Sequence, residues 1–338
     1  MKPQAEPWGP DRIRGLASAY WQSCAVHALG QTGLAAELAK GPASPEELCS
    51  RLGLSPRGVR PLLTALTTLG LLRRQGQDYA LAPEAVPAFT PGHDQDMTNA
   101  VLHMADMVAD WSRLAACVAS GRPVARPEPA PGEKTPPGRA HFYRAMRDLA
   151  RQQAPGLAAR LGLRAGQSLL DLAGGPGVYG LTFAEETPGL AVAVLDLPGA
   201  QEFFREEAAR HSQAAGVEFL AGDYEKAPLG GPYDVVWISQ VLHGEGPDKC
   251  AALLTKAVQA LKPGGALWVQ EFVVREEGGH PFSSLFWLNM LVNTEQGQAY
   301  DEQELTGMMR RASLAEVELV GPNREGSPAF LLRGHKTA

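Results

Sequence analysis

Several protein classes are excluded by what this sequence lacks. Cysteine is scarce: Cys24, Cys49, Cys117 and Cys250 are the only four in 338 residues, and none forms a C-x-x-C pair. Neither a zinc ribbon nor a disulfide framework is indicated, and buried free thiols in a reducing compartment are expected. There is no run of about 18 apolar residues, so no membrane-spanning helix is expected. The opening Met1-Lys-Pro-Gln-Ala-Glu-Pro has no apolar centre of the signal-peptide kind, and a cytoplasmic protein is expected. Basic residues are not in excess: 31 Lys and Arg stand against 37 Asp and Glu, a net charge of −6. That balance argues against broad nucleic-acid binding, which needs a basic surface. What is present is 44% hydrophobic residues, enough for a substantial core, and a length that fits two domains or one with a large appendage.

The stretch that organises the chain is Asp171-Leu-Ala-Gly-Gly-Pro-Gly-Val-Tyr-Gly180. It follows Ser168-Leu-Leu170, which reads as a buried strand, and leads into a helix running to about Thr187. Strand, glycine turn and helix N-terminus together make a site for a nucleotide-like ligand. Gly174, Gly175 and Gly177 carry no Cβ, so the backbone can turn sharply and approach a ligand closely. Gly175-Pro-Gly-Val-Tyr-Gly180 matches the dinucleotide pattern G-x-G-x-x-G, but it also fits the adenosine of S-adenosylmethionine (SAM). Pro176 favours SAM, because it has no N–H where a pyrophosphate needs a donor. A nicotinamide oxidoreductase is disfavoured on that ground and by a second acidic strand end further on.

The first hundred residues read as a helical region, 11–40, with Ile13, Leu16, Ala17, Tyr20, Trp21 and Cys24 on one stripe. A capped helix follows at Ser44-Pro-Glu-Glu47 and ends near Gly53. The next helix starts at Ser55-Pro56 and stops at Gly70, and a hairpin turns at Gly76. Helix, helix, hairpin is a winged-helix pattern. A DNA-binding regulator that senses a small molecule is one reading, with Arg57, Arg60, Thr64, Thr67 and Thr68 on the recognition helix and Arg73 and Arg74 near phosphate. The thin basic footprint disfavours it. The apolar first helix with exposed aromatics reads better as a partner surface, most simply in a homodimer. Residues 97–120 read as one long helix. The proline-rich Gly121–Gly138 reads as a linker in preference to a lid, and the helix opened by His141 as ending around Leu161-Gly162.

From Gln167 strands and helices alternate, which predicts a mostly parallel sheet. The strands are Ala191–Asp196, Val217–Tyr224, Tyr233–Ser239 and Ala266–Val274, with helices over 200–215 and 247–261. Short closing strands near Val317–Val320 and Ala329–Arg333 have antiparallel character. Asp196 ends the second strand, where a fixed carboxylate can accept both ribose hydroxyls. Asp223 ends the third and can accept the adenine amino group, with Tyr224 packing on the ring; alternatively Asp223 only caps a turn. His243 follows the fourth strand and Glu271 ends the fifth, the arrangement of a general base and its orienter. An imidazole titrates near neutrality and can take a proton from a phenol or alcohol.

These residues resemble the class I SAM-dependent O-methyltransferases of the plant caffeate and animal acetylserotonin type, which include bacterial polyketide and bacteriochlorophyll enzymes. The motifs that carry the resemblance are Asp171–Gly177, Leu195-Asp196-Leu-Pro198, Gly222-Asp223, Val241-Leu-His243, Leu261-Lys-Pro-Gly-Gly265 and the strand with Glu271. The resemblance implies a Rossmann-like SAM-binding catalytic domain over 161–338. It also implies a winged-helix dimerisation domain over 1–95, linking helices and a proline-rich loop over 96–160, and a homodimer. It implies SAM as cofactor, S-adenosylhomocysteine as product and no metal. The cofactor would lie against Asp171, Gly174, Gly175, Gly177, Asp196, Leu197, Asp223, Tyr224 and Ser239. His243 would deprotonate the hydroxyl of an aromatic or polycyclic acceptor, with Glu271 as its partner. Phe142 and Met146, in an F-x-x-x-M stretch, and Met290 and Asn293 would line the acceptor pocket. The sequence departs from the family in two places. The usual His-Asp-Trp is His243-Gly244-Glu245, and a second carboxylate is replaced by Ala299. C- or N-methylation, or non-methylating hydroxylation or decarboxylation chemistry, therefore remains as an alternative.

Overall fold

The computed structural model describes residues 8–124 and 137–337. Most of the proline-rich stretch, read above as a linker, lies outside them. The chain divides into two compact units, Met1–Asp106 and Met107–Ala338, so the connecting region 96–160 is shared between them.

In the first unit the helical region 11–40 is three helices: α1 (Pro10–Ser18), α2 (Tyr20–Gln31) and α3 (Leu34–Ala39). The last break falls at Gly33, whose φ of 77° leaves the right-handed helical region. Then come α4 (Pro45–Leu52), α5 (Pro56–Thr68), the hairpin β1 (Leu72–Gln75) and β2 (Asp78–Leu81), and the short α6 (Val86–Phe89). Leu29, Leu34, Leu48, Leu63, Leu66 and Leu72 form the core of the winged-helix arrangement. Ile13, Leu16, Tyr20 and Trp21 are left facing outward, with Trp21 67% exposed. Arg60 is paired with Glu46 at 2.6 Å and Arg73 with Glu84 at 3.1 Å.

The long helix expected over 97–120 is α7 (Thr98–Trp111) and α8 (Leu114–Ser120). Tertiary anchors explain the break. The Trp111 indole donates to Asn289 Oδ1 at 2.8 Å, and Cys117 turns into a small cluster with Val292. The next expected helix is also two, α9 (Pro137–Arg151) and α10 (Leu157–Leu161). They are separated where Pro155 lacks an N–H and Gly156 takes a φ of 78°.

The sheet of the second unit contains β3 (Ser168–Leu172), β4 (Ala191–Asp196), β5 (Val217–Ala221), β6 (Tyr233–Ser239) and β7 (Leu261–Val274). The two-residue β8 (Tyr300–Asp301) follows, then β9 (Leu314–Pro322) and β10 (Ala329–Lys336). Their order is β5-β4-β3-β6-β7-β10-β9, with β8 beside β7. The first five are parallel, while β10 enters antiparallel between β7 and β9. Because β10 is paired on both sides, the closing strands are longer than the short segments expected. The hairpin keeps polar residues along it in place, as where Arg333 lies over the Trp268 ring and pairs with Glu318. Helix α11 (Val178–Glu186) and α10 cover one face. Helices α13 (Pro247–Gln259) and α15 (Glu302–Arg311) cover the other. The amphipathic segment after β4 is α12 (Gln201–Ala208), shorter than the 200–215 expected, and α14 (Pro281–Asn293) follows β7. Alternate residues of each strand enter the two cores: Leu169, Val235 and Trp237 on one side, Leu170, Val236 and Ile238 on the other.

The α4 cap gives a direct test of local stability. The Ser44 hydroxyl accepts from Glu47 N at 3.3 Å, and Glu47 Oε2 accepts from Ser44 N at 2.9 Å. Ser44→Ala is expected to cost about 1 kcal/mol, read as a lower urea midpoint of unfolding; an unchanged midpoint would show the box to be idle.

Candidate active site

Parallel pairing brings the carboxyl ends of β4, β3, β6 and β7 to one edge. The order of strands reverses between β3 and β6, where open α/β sheets form their ligand crevice. Asp171 is 1% exposed near the end of β3. Its Oδ2 accepts from Gly180 N at 2.9 Å, whereas its Oδ1 is buried with no hydrogen-bond partner. A Cβ on Gly174 would fall 2.6 Å from the Asp171 carboxyl carbon, and one on Gly177 would fall 2.6 Å from the Phe204 ring. These two glycines are needed so that the turn can settle onto its own sheet. Gly175 is the glycine of the three whose Cβ would stand in open space.

Asp196 is clamped by the same turn. Its Oδ2 accepts from Gly175 N and its Oδ1 from Leu197 N, each at 2.7 Å. Each oxygen keeps a second lone pair for a hydroxyl. Burial pushes the carboxyl up from the usual carboxylate range, while those two backbone N–H groups hold it down. Leu197 is exposed beside it. The edge continues into β5, where Gly222 N donates to the Asp196 carbonyl at 2.9 Å. The Asp223 carboxylate is engaged in its own turn, accepting from Glu225 N at 2.9 Å and pairing with Lys226 at 3.0 Å; the hydrogen bond from Lys226 leads in holding it below its ordinary value. Turn-capping is thus one job that Asp223 performs. Tyr224 donates its hydroxyl to Glu245 Oε1 at 3.2 Å.

His243 lies in a 3-10 turn, Leu242–Gly244, directly after β6. Its Nδ1 is 2.8 Å from Glu271 Oε2, and its backbone N donates to Glu271 Oε1 at 3.3 Å. Glu271 is itself buried on β7, and Phe272 N donates to it at 3.2 Å. With Nδ1–H directed at the carboxylate, Nε2 is left as the basic nitrogen. The turn is held from behind: the Cys250 thiol donates to Leu242 O at 3.2 Å, and Tyr300 donates to Glu245 O at 2.6 Å. Ala299 is buried in place of the second carboxylate, so Glu271 is the carboxylate on this imidazole among the described residues.

Other anticipated residues have the following surroundings. The Ser239 hydroxyl accepts from Gln270 Nε2 at 3.0 Å, within a buried network that also takes in Tyr179, Gln153 and Asn323. Asn293 donates to Asn289 O and Oδ1 in its own helix, and Met290 is buried. Phe142 is exposed and Met146 half-buried. The neighbouring Tyr143, stacked on Phe203 at 4.9 Å, is the residue whose hydroxyl feels the Asp196 charge; burial foremost pushes its pKa up. Sequence reasoning missed three phenylalanines. Phe286 stands edge-on to the His243 ring at 4.7 Å, Phe272 lies nearly parallel to it at 6.1 Å, and Phe282 contacts both of these rings. A signal for Phe286 was available, since 286, 290 and 293 are spaced for one helix face.

The fold is that of an α/β enzyme whose sheet edge carries Asp171, Asp196 and a carboxylate-held imidazole. The chain belongs to the O-methyltransferase family. Residues 111–315 match the O-methyltransferase domain, and residues 15–86 match the O-methyltransferase dimerisation domain. It is 29% identical to the 3-hydroxy-5-methyl-1-naphthoate 3-O-methyltransferase of Streptomyces sahachiroi, over 92% of this chain and 91% of that one. It is likewise 29% identical to the tetracenomycin polyketide synthesis 8-O-methyl transferase TcmO of Streptomyces glaucescens, over 94% of this chain and 95% of that one. The fold is similar to that of human N-acetylserotonin methyltransferase in complex with SAM, with a TM-score of 0.87 at 22% identity, covering 99% of this chain and 100% of that one.

Burial, with a smaller contribution from the charge of Asp196, pushes the Asp171 carboxyl up to about 7. The folded state therefore holds this proton more tightly than the unfolded chain does. The stabilisation is complete below about pH 4 and is lost as pH rises to about 7. Urea titrations of the ligand-free protein across that window are expected to show a shallower fall for Asp171→Asn than for the unsubstituted chain. Equal slopes would assign the titration to another group.

Proposed function

We propose that this chain is a homodimeric SAM-dependent O-methyltransferase whose acceptor is a hydroxyl on an aromatic or polycyclic small molecule. The observation that carries the reading is the Glu271-held imidazole of His243, set among Phe272, Phe282 and Phe286 at the edge that bears Asp171 and Asp196. The residues at this edge fit an adenosyl group. Asp196 is a rigid acceptor for ribose hydroxyls, Gly175 leaves open space, Pro176 withholds the N–H a pyrophosphate would use, and Asp171 Oδ1 is an unpaired buried acceptor. When bound, SAM supplies an electrophilic methyl group on a sulfonium.

The protein's part is positioning and proton transfer. His243 Nε2 takes the proton of the acceptor hydroxyl, leaving an oxyanion as nucleophile. Glu271 keeps the imidazole in the tautomer that exposes Nε2 and then stabilises its cation. The three phenylalanine rings provide apolar faces and edges against which a planar ring can lie, in offset or edge-on geometry. The relatives named for a naphthoate and for a tetracenomycin polyketide support an acceptor of this kind. The outward-facing Ile13, Leu16, Tyr20 and Trp21 fall in or beside the dimerisation match and supply an apolar surface for a second copy.

Calorimetry is expected to show binding of SAM and S-adenosylhomocysteine but not of NAD; the reverse would reject the reading. With hydroxynaphthoates as acceptors, His243→Ala is expected to lower turnover about 10²–10⁴-fold while S-adenosylhomocysteine affinity holds. Intact turnover would remove His243 as base. Trp21→Glu is expected to shift the sedimentation coefficient of a dimer toward that of a monomer, and an unshifted dimer would place the interface elsewhere.

A further inference from the structure

The stretch after His243 departs from the family it resembles, with Glu245 standing where a tryptophan is usual. Glu245 is half-buried and extended at the end of the 3-10 turn. Its backbone is fixed on the base side of the site: its N donates to Leu242 O at 3.1 Å, and its carbonyl accepts from Tyr300 at 2.6 Å. Its carboxylate engages other partners. Oε1 accepts from the Tyr224 hydroxyl at 3.2 Å, and Oε2 pairs with Lys249 at 3.3 Å. Tyr224 directly follows Asp223 beyond β5, and its carbonyl is held by Lys256 Nζ at 2.6 Å. The ring is therefore tethered at both ends, by Lys256 at the main chain and by Glu245 at the hydroxyl.

We propose that Glu245 is a positioning residue: it fixes the Tyr224 ring as a wall of the adenosyl site and ties that wall to the turn carrying His243. The inference rests on the adenosyl reading of the sheet edge given above. Burial and the neighbouring Glu245 charge push the Tyr224 phenol well up, so it remains a donor at neutral pH. The part-buried bond to Glu245 is the kind that orders a ring. The more exposed Lys249 pair, screened by solvent, contributes little. Lys249 also pairs with Glu225 at 2.7 Å.

Calorimetric titration of the full-length protein with S-adenosylhomocysteine tests this, with thermal melts to confirm that each variant folds. Glu245→Ala and Tyr224→Phe are each expected to weaken binding about 3–10-fold, the range of one hydrogen bond. The double variant is expected to be no weaker than the worse single one, because both remove the same bond. Glu245→Gln, whose amide oxygen accepts the same hydrogen bond, is expected to restore affinity, and Lys249→Met to leave it within about twofold. Asp196→Ala serves as the control for the underlying reading and is expected to lose binding. If Asp196→Ala binds normally, the adenosyl reading itself fails. If Asp196→Ala loses binding while Glu245→Ala and Tyr224→Phe bind normally, or their effects multiply in the double variant, or Glu245→Gln fails to rescue, the role assigned to Glu245 is overturned.

Discussion

Parallel pairing of the strands is the constraint on which this site depends. It sends the carboxyl ends of β4, β3, β6 and β7 to one edge in fixed register, so residues distant in sequence meet without any long loop to position them. Asp171 and Asp196 are then joined through the glycine turn. One carboxylate takes the N–H of Gly180 and the other that of Gly175, so the turn is sewn to two neighbouring strands. The glycines serve that closure first. At Gly174 and Gly177 the space a side chain would need is taken by Asp171 and Phe204, and at Gly175 it is open.

Strand alternation gives β7 two tasks. Glu271 faces the imidazole, and Gln270, one residue earlier, faces the other side. Gln270 binds Tyr179 from α11, Ser239 from β6 and Asn323 from the loop before β10. The helix that follows the glycine turn and the strand that precedes His243 are therefore referenced to the same side chain. A slip of one residue in β7 would exchange the two faces and lose both sets of bonds at once. Such a network is costly to leave half satisfied, which favours a single register.

Much of this was legible in the sequence where one physical signal dominated. Ala191–Asp196 and Tyr233–Ser239 were read with the bounds observed, because each is an apolar, β-branched run bounded by turn residues. Helix 97–120 was misread as continuous because its breakage comes from the Trp111–Asn289 anchor, which no local pattern encodes. The closing strands were read too short because Glu316 and Gly321 flank one apolar run and Gly334 ends the other, which hid a pairing supplied by β7 and β9. At the site, charge and motif gave Asp171, Asp196, His243 and Glu271. The aromatic surround did not emerge, since Phe272, Phe282 and Phe286 become a group only when α14 folds back over the end of β7. The partners that Ser239 and Asn293 take within the protein, Gln270 and Asn289, were likewise not legible.

The alanine at 299 bears on how the His243 imidazole is held by one carboxylate. A second acid at the buried position 299 would add a charge in need of its own partner. Glu271 instead belongs to a buried strand, and its two oxygens receive the His243 backbone N–H, the imidazole Nδ1–H and the Phe272 N–H. Those bonds fix the carboxylate and the main chain of His243 together, so ring orientation follows from the sheet. Phe286, edge-on to the imidazole, limits rotation on the remaining side. Behind the turn, the absence of a side chain at Gly297 lets the following loop approach the His243 carbonyl closely. Direction is therefore supplied by packing and by one shared carboxylate, and Ala299 occupies hydrophobic core instead of adding a buried charge that would need a partner of its own.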